Sequence, residues 1–453
     1  MARRLSPALS FAALTLCAGA VMMGSAVRAQ TEADPQAQRL RTLEQRLDAS
    51  LKLIERLTER IAELERAAAQ AKPVGAAPAA PEQEKEIAAL RENVQKLADG
   101  LKRSSSQAGA ALHGFADAGA AWSSRDDPAR RRGFGVGTLD FYLTPQFGNR
   151  VKSLMEIALY YDALGHGEIE AERMQIGYTL DEALTVWAGR FHTPIGMWNT
   201  LYHHGANLQT AISRPRFVEF EDREGLVPTH SIGVWGSGKS GLGKGKLTYD
   251  VYLSNGPTVR GRTLDYNPFT DDNSGKLLGV NLGYQPNGSL RGLSVGVHGF
   301  GSTVDTRLAS GALFARTRLR MAGGYLGYDA NGWEGLSEYY RFDNTDLASG
   351  TRRASNAWFA QLGHTFGSMT PYLRHEKASL DGADNFFITQ RGGLSYARSS
   401  IGLRYELDAN SALKIEFGAT SEAAATLIDQ NGAPVPMPRV HYRRGAIEYS
   451  IAF

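Results

Sequence analysis

The sequence predicts an all-β fold: a 16-stranded antiparallel transmembrane β-barrel, preceded by a short α-helical coiled coil. Three observations carry this prediction. From residue 111 onward, apolar and polar residues alternate in successive segments, most of them near the roughly 9–11 residues a tilted strand needs to cross a bilayer. The links between segments are mostly tight at one end and mostly long at the other. The chain finishes on "RRGAIEYSIAF", where Ile447, Tyr449, Ile451 and Phe453 share one side of an extended strand and Glu448 and Ser450 lie on the other.

Composition narrows the alternatives. Gly supplies 50 of 453 residues, charged residues make up 21%, and mean hydropathy is −0.30. No internal apolar run is long enough for a helical span, which excludes a helical membrane protein. The formal net charge is +3, and Arg3, Arg4 and Arg28 account for it, so the remainder is near neutral and nucleic acid is not an expected partner.

Residues 1–29 read as a signal peptide: Arg3 and Arg4 form a charged start, residues 9–24 an apolar stretch, and "VRA" a cleavage site before Gln30. Cys17 is the sole cysteine, and Leu16 before it does not fit a lipoprotein signal. Residues 30–70 are expected to form a coiled coil. Leu40, Leu47, Ile54 and Ile61 fall at a, and Leu43, Ser50, Leu57 and Leu64 at d. An Ala/Pro linker follows at 71–86, where Pro73, Pro78 and Pro81 cannot continue a helix. A second coiled-coil segment and linker occupy 87–110, leaving 111–453 for the barrel. These heptads imply a homo-oligomer, and Ile or Val at a with Leu at d leans toward two strands.

Candidate strands fall at about 111–122, 134–146, 151–161, 168–178, 183–192, 230–237, 246–255, 276–285, 291–301, 313–328, 332–343, 354–366, 370–378, 394–407, 412–420 and 441–453. Links after even-numbered strands are mostly tight, such as 147–150, 180–182, 286–289, 329–331, 367–369 and 408–410, with a longer Gly turn at 238–245. Links after odd-numbered strands include 193–229, 256–275, 379–393 and 421–440, with 162–167 as the short exception. Such asymmetry is the sidedness of an outer-membrane barrel, and an even strand number returns both ends to one side. Leu247, Tyr249, Val251 and Leu253 oppose Thr248, Asp250, Tyr252 and Ser254, as lipid outside and water inside require. Backbone polar groups cannot go unpaired in lipid, so the strands must close, and sixteen leave a lumen.

With these features the chain resembles Gram-negative outer-membrane porins over roughly 111–453. "WAGRFHTPIGMWN" (187–199) resembles a strand-end motif, G-[KR]-F/V-x-x-P-[FI]-G, of the phosphate-selective and related substrate-specific porins, some of which also carry an N-terminal periplasmic coiled coil. The resemblance implies several things. The location is the outer membrane, in contact with its lipid, with the coiled coil in the periplasm. The oligomer is a trimer rather than the dimer the heptads favour. Phe453 acts as a sorting signal read by the barrel-assembly machinery. A third external loop, 193–229, folds into the lumen, where Arg214, Arg216 and Arg223 would oppose Glu219, Glu221, Asp222 and Glu224 at a constriction. Opposed charges act strongly in such a passage. The alternative is an external lid with solvated charges. The implied function is passive diffusion of small hydrophilic solutes, without catalysis or cofactor. A scaffolding barrel tethered to periplasmic partners is the alternative, and an outer-membrane hydrolase a distant third.

Other motifs resolve on their own chemistry. "FARTRLRM" (314–321) sets Arg316, Arg318 and Arg320 on one face of a strand. Three guanidinium groups on a lipid-facing stripe are costly, so a basic ladder in the lumen is expected, with a weak lean toward anions or organic acids. "GVWGSGKS" (233–240) matches a phosphate-loop pattern, but a Gly turn and a strand follow where a helix is needed. His192, His203 and His204 match no zinc spacing, so no metal is expected. "DDNSG" (271–275) lacks the ligand spacing of a calcium loop.

Overall fold

The computed structural model describes residues 112–125, 133–147, 149–161, 167–203, 205–220, 224–265 and 275–453. The signal peptide, both coiled-coil segments, the linkers, His204, Glu221, Asp222, Arg223 and the 271–274 part of the "DDNSG" stretch lie outside the described residues.

Sixteen long strands form one sheet. They are β1 (Leu112–Ser123), β2 (Gly133–Leu143), β3 (Val151–Tyr161), β4 (Gly167–Asp181), β5 (Leu184–His192), β6 (His230–Leu242), β7 (Gly245–Ser254) and β8 (Leu277–Pro286). Then come β9 (Leu293–Arg307), β10 (Leu313–Ala330), β11 (Trp333–Asp346), β12 (Arg352–His364), β13 (Met369–Ser379), β14 (Tyr396–Asp408), β15 (Ser411–Glu422) and β16 (Val440–Ala452). Each pairs antiparallel with the next, and β16 returns to β1 from Phe115↔Ala452 to Ser123↔Arg444. The cylinder is therefore closed, and all sixteen predicted strands are present. Beyond the last strand, Phe453 N–H donates to Gly114 O at 3.0 Å and Gly114 N–H to Phe453 O at 2.9 Å, sealing the seam.

Register separates the two faces. Cross-strand partners share a face, so Val251, Val280 and Gly299 lie side by side, as do Leu373, Ile401, Phe417 and Gly445. Their neighbours on that face stay bare, with Leu278 and Val297 each 58% exposed and Ile401 63% exposed. This is the outward, apolar face. The inward face carries Tyr252, Asn281, His298, Tyr340, Arg374 and Glu416, all buried.

The short links are tight turns, as expected. Asn331 and Gly332 adopt φ of 56° and 76°, the left-handed pair that a two-residue hairpin turn requires. Asp181 Oδ1 accepts from Ala183 and Leu184 N–H at 2.8 and 3.0 Å, fixing the β4–β5 turn. At the opposite end two links are shorter than the sequence suggests, because β9 and β10 continue as a ladder to Arg307↔Leu313, and β11 and β12 to Thr345↔Arg352. The phosphate-loop lookalike lies wholly within β6, with no helix after it.

Candidate functional site: the loop inside the barrel

Residues 193–229 leave the top of β5 and re-enter at β6. Their ends are pinched together: Thr193 N–H donates to Thr229 O at 2.8 Å, and the buried Asn199 Nδ2 bridges Thr193 O and Thr229 O at 2.8 and 3.0 Å. From this neck the loop runs into the cylinder and bonds to inward side chains of the far wall.

The first anchor is on β11. Glu338 Oε1 accepts from Met197 N–H at 2.8 Å and Trp198 N–H at 2.5 Å, at the start of the short helix α1 (Trp198–Leu201), and Tyr340 OH also donates to Glu338. Gly196 makes this approach possible. Its φ is +62°, and a Cβ there would sit 2.2 Å from Glu338 Oε2. Behind this contact Trp198 packs edge-on against Phe359 of β12.

The second anchor spans β13 to β16. Arg404 Nη1 donates to Asn207 O and Gln209 O at 2.6 and 2.8 Å, and Lys414 Nζ to Ala206 O. Arg374, 1% exposed, donates to Ser213 O at 2.7 Å and Ser213 Oγ at 2.5 Å, and Arg398 donates to Arg214 O. Glu416 accepts from Ser213 N–H at 3.2 Å, and Glu376 from Arg216 N–H at 2.7 Å. Charged groups on the wall thus satisfy backbone groups that the buried loop could not leave unpaired. Phe217 then packs on Tyr340 and Phe342.

This geometry settles where the expected charges lie. Arg214 and Arg216 are buried ties rather than an open row. Arg214 binds His203 O at 2.6 Å, lies over the Phe220 ring and reaches Glu219 at 3.8 Å. Arg216 pairs with Glu422 of β15 at 2.6 Å and Glu224 at 3.2 Å. The predicted face-off across a gap is corrected for this pair: the partners lie within the loop and on the wall against which it rests. The anchors Glu338, Arg374, Glu376, Arg398, Arg404, Lys414 and Glu416 were not singled out in the sequence. Apart from Glu338 on β11, their signal is the concentration of long charged side chains on the inward faces of β13 to β15, as in the i, i+2 pairs Arg374/Glu376 and Lys414/Glu416.

The basic ladder is also corrected. Phe300↔Met321, Ser302↔Leu319 and Val304↔Thr317 are inward pairs, so Arg316, Arg318 and Arg320 share the outward face with Ala322, Gly324 and Leu326. Arg316 pairs there with Asp305 at 2.7 Å. The physical reason is that the mouth of the lumen is apolar on this side. Leu319 and Met321 join one cluster with Phe217, Val259 and Leu264 of the loop after β7, and Phe386 and Phe387 of the loop after β13. The arginines lie in the first half of β10, next to the link that joins it to β9 and ahead of the exposed Leu326.

The loop after β13 contributes a short helix, α2 (Asn385–Ile388), capped by Asp384, whose Oδ1 accepts from Phe386 N–H at 3.0 Å. Burial raises the Asp384 pKa from 3.8 to about 6, against the lowering effect of Asn344 and the Phe386 N–H. A raised carboxyl favours folding below its unfolded value, and that benefit is lost as pH rises through about 6. Asp384→Asn keeps the cap, and Asn344, whose Oδ1 has no hydrogen-bond partner, can turn to accept from the new amide. The variant is expected to gain up to about 3 kcal/mol over the wild type at pH 8 and little below pH 4, read from unfolding midpoints at both pH values.

Beneath the loop, toward the short turns, lies a cavity of about 220 Å³ lined by Tyr202, Gln209, Thr210, Asp329, Glu334 and Gln361, with Thr210 Oγ1 donating to Glu334 at 2.7 Å. Burial is the first cause that raises the Tyr202 pKa, followed by Glu334 and Asp329.

No protein-family model matches the sequence, and no curated protein matches it. Solved structures do. The anion-selective porin from Comamonas acidovorans aligns at a TM-score of 0.54 and 14% identity, covering 76% of this chain and 99% of that one. OmpT, an outer membrane protein of Vibrio cholerae, aligns in its trimer form at 0.51 and 9% identity, over 76% and 99% of the two chains. At these identities the likeness is one of fold: a porin-type barrel.

Proposed function

We propose that this chain is a passive diffusion channel of the Gram-negative outer membrane for small hydrophilic solutes, assembled as a trimer and carrying out no reaction. The observation that supports it most is the inward loop, bonded at one end to β11 and along its length to β13–β16. A closed barrel needs no such strut for stability alone, whereas a loop across the lumen sets a width. The porin fold of the aligned structures, one of them a trimer and one anion-selective, agrees with this reading. Liposome swelling with neutral sugars of increasing size tests it. Uptake that falls with solute size is expected, and no uptake from correctly inserted protein would refute it.

The lean to anions rested on residues 316–320 and loses that support. We propose a weakly selective passage, in which the wall arginines are occupied by loop carbonyls and carboxylates. Arg320→Glu is then expected to leave the reversal potential in a salt gradient unchanged, because Arg320 lies on the outward face of β10, with the strand between it and the lumen. A shift toward cations would place Arg320 at the passage.

Phe453 is proposed as the assembly signal. Its removal deletes two seam hydrogen bonds and should lower stability in detergent by only about 1–2 kcal/mol. The yield in the outer membrane is expected to fall much further, measured by quantitative blotting of membrane fractions.

A further inference from the structure

The neck of the inward loop brings together three histidines that the sequence keeps apart. His192 ends β5, His230 begins β6 directly opposite it, and His203 comes from the loop between them. One ring nitrogen of each lies within 4.8 Å of the others. His203 Nε2 and His230 Nε2 are 3.0 Å apart, and the side chains of His203 and His230 are buried. Two carboxylates flank them, Glu172 Oε2 at 3.1 Å from His230 Nε2 and Glu156 Oε2 at 3.6 Å from His192 Nε2. No zinc spacing marks this group in the sequence, because the third imidazole lies across the strand pair rather than along the chain.

We propose that His192, His203 and His230 form a site for a borderline divalent transition-metal ion, Zn²⁺ in the first instance, which clips the inward loop to the strands from which it springs. Three imidazoles with a carboxylate at the fourth corner suit such an ion. Bonds of about 2.0–2.1 Å in a tetrahedron put ligand nitrogens ~3.3 Å apart, near the His203–His230 separation. The third nitrogen closes in with a small shift of His192. Charge does not forbid it: Arg173 and Arg190 hold Glu156 and Glu172, and Glu219 lies beside Arg214. Two contacts must change, and the first is the His203–His230 hydrogen bond, whose proton leaves when both Nε2 atoms take the metal. In the second, Arg214 Nη2 meets His203 Nδ1 at 2.8 Å, which needs a lone pair on Nδ1. A metal at Nε2 requires the proton on Nδ1 instead, so Arg214 would turn to the His203 and Val218 carbonyls it already contacts. Metal binding is therefore coupled to a charge of the loop itself.

The test is titration of tag-free, chelator-stripped full-length protein in detergent with Zn²⁺, and with Co²⁺ for its visible absorption. One ion per chain is expected, with Co²⁺ bands of tetrahedral nitrogen ligation. His203→Gln and His230→Asn should each weaken Zn²⁺ binding at least about 100-fold, since even outer-shell losses cost ~10–100-fold. His298→Asn, on the lumen wall away from the neck, should bind as the wild type does. Should the buried variants fail to fold, His192→Asn at the edge of the cluster is expected to lose the Co²⁺ bands in the folded state. No binding by the wild type, or binding that survives in folded His203→Gln and His230→Asn, overturns the proposal. The titration needs no conduction, so its failure leaves the channel reading standing, and a silent channel would not affect it.

Discussion

Arg374→Ala is expected to widen the passage. Arg374 is among the most deeply buried cations of the described residues, and it holds Ser213 through both the carbonyl and the hydroxyl while lying 3.4 Å from Glu376. Its removal frees the middle of the loop and leaves a buried carboxylate pair, Glu376 and Glu416, with one cation fewer. Breaking a buried pair costs about 3–5 kcal/mol, and Arg398 on Glu376 at 2.6 Å should hold the loss to the lower end. Since the cost falls on the loop rather than on the strand ladder, the barrel should still close. Single-channel conductance and the size limit for sugars should both rise. An unchanged conductance from a folded variant would mean that the loop does not set the width.

Glu338→Leu should be the most destabilising single change at the first anchor. The carboxylate accepts from two loop N–H groups and from Tyr340, with Trp198 and Tyr340 buried and Met197 partly so, and leucine strands three donors at once. Each stranded donor costs about 1–3 kcal/mol, and because the loop can partly relax the total should be ~3–5 kcal/mol. Glu338→Gln keeps an acceptor for the two N–H groups and should cost less than half of that. Comparing urea unfolding midpoints of the two variants separates loss of the acceptor from loss of charge. Equal effects would show that the charge, not the capping of Met197 and Trp198, matters.

What could be read from the sequence follows from which forces are local. Period-two alternation and turn residues such as Asn331-Gly332 act within a few positions, so all sixteen strands were legible. Strand ends at Arg307 and Asp346 were not, because along 302–307 and 343–346 polar residues fall on both faces, so alternation no longer marks the strand. An inverted alternation hid the direction of Arg316, Arg318 and Arg320. Alternation says that two faces differ, and only the loops packed on Leu319 and Met321 say which one is inside. Loop 193–229 was legible as an inward candidate through its length, its charge and its porin-like flanking motif. Its anchors were not, because Glu338, Arg374 and Arg404 meet it across separations of more than a hundred residues. The pairing of His230 with His192 needed the register of the β5–β6 neck.

The central claim is a hollow, closed cylinder narrowed by its own third loop. The most direct measurement is planar-bilayer recording of the purified wild-type chain. The account predicts discrete conductance steps of uniform size that grow in Arg374→Ala. Folded protein that inserts into the bilayer and gives no steps in either form would contradict it.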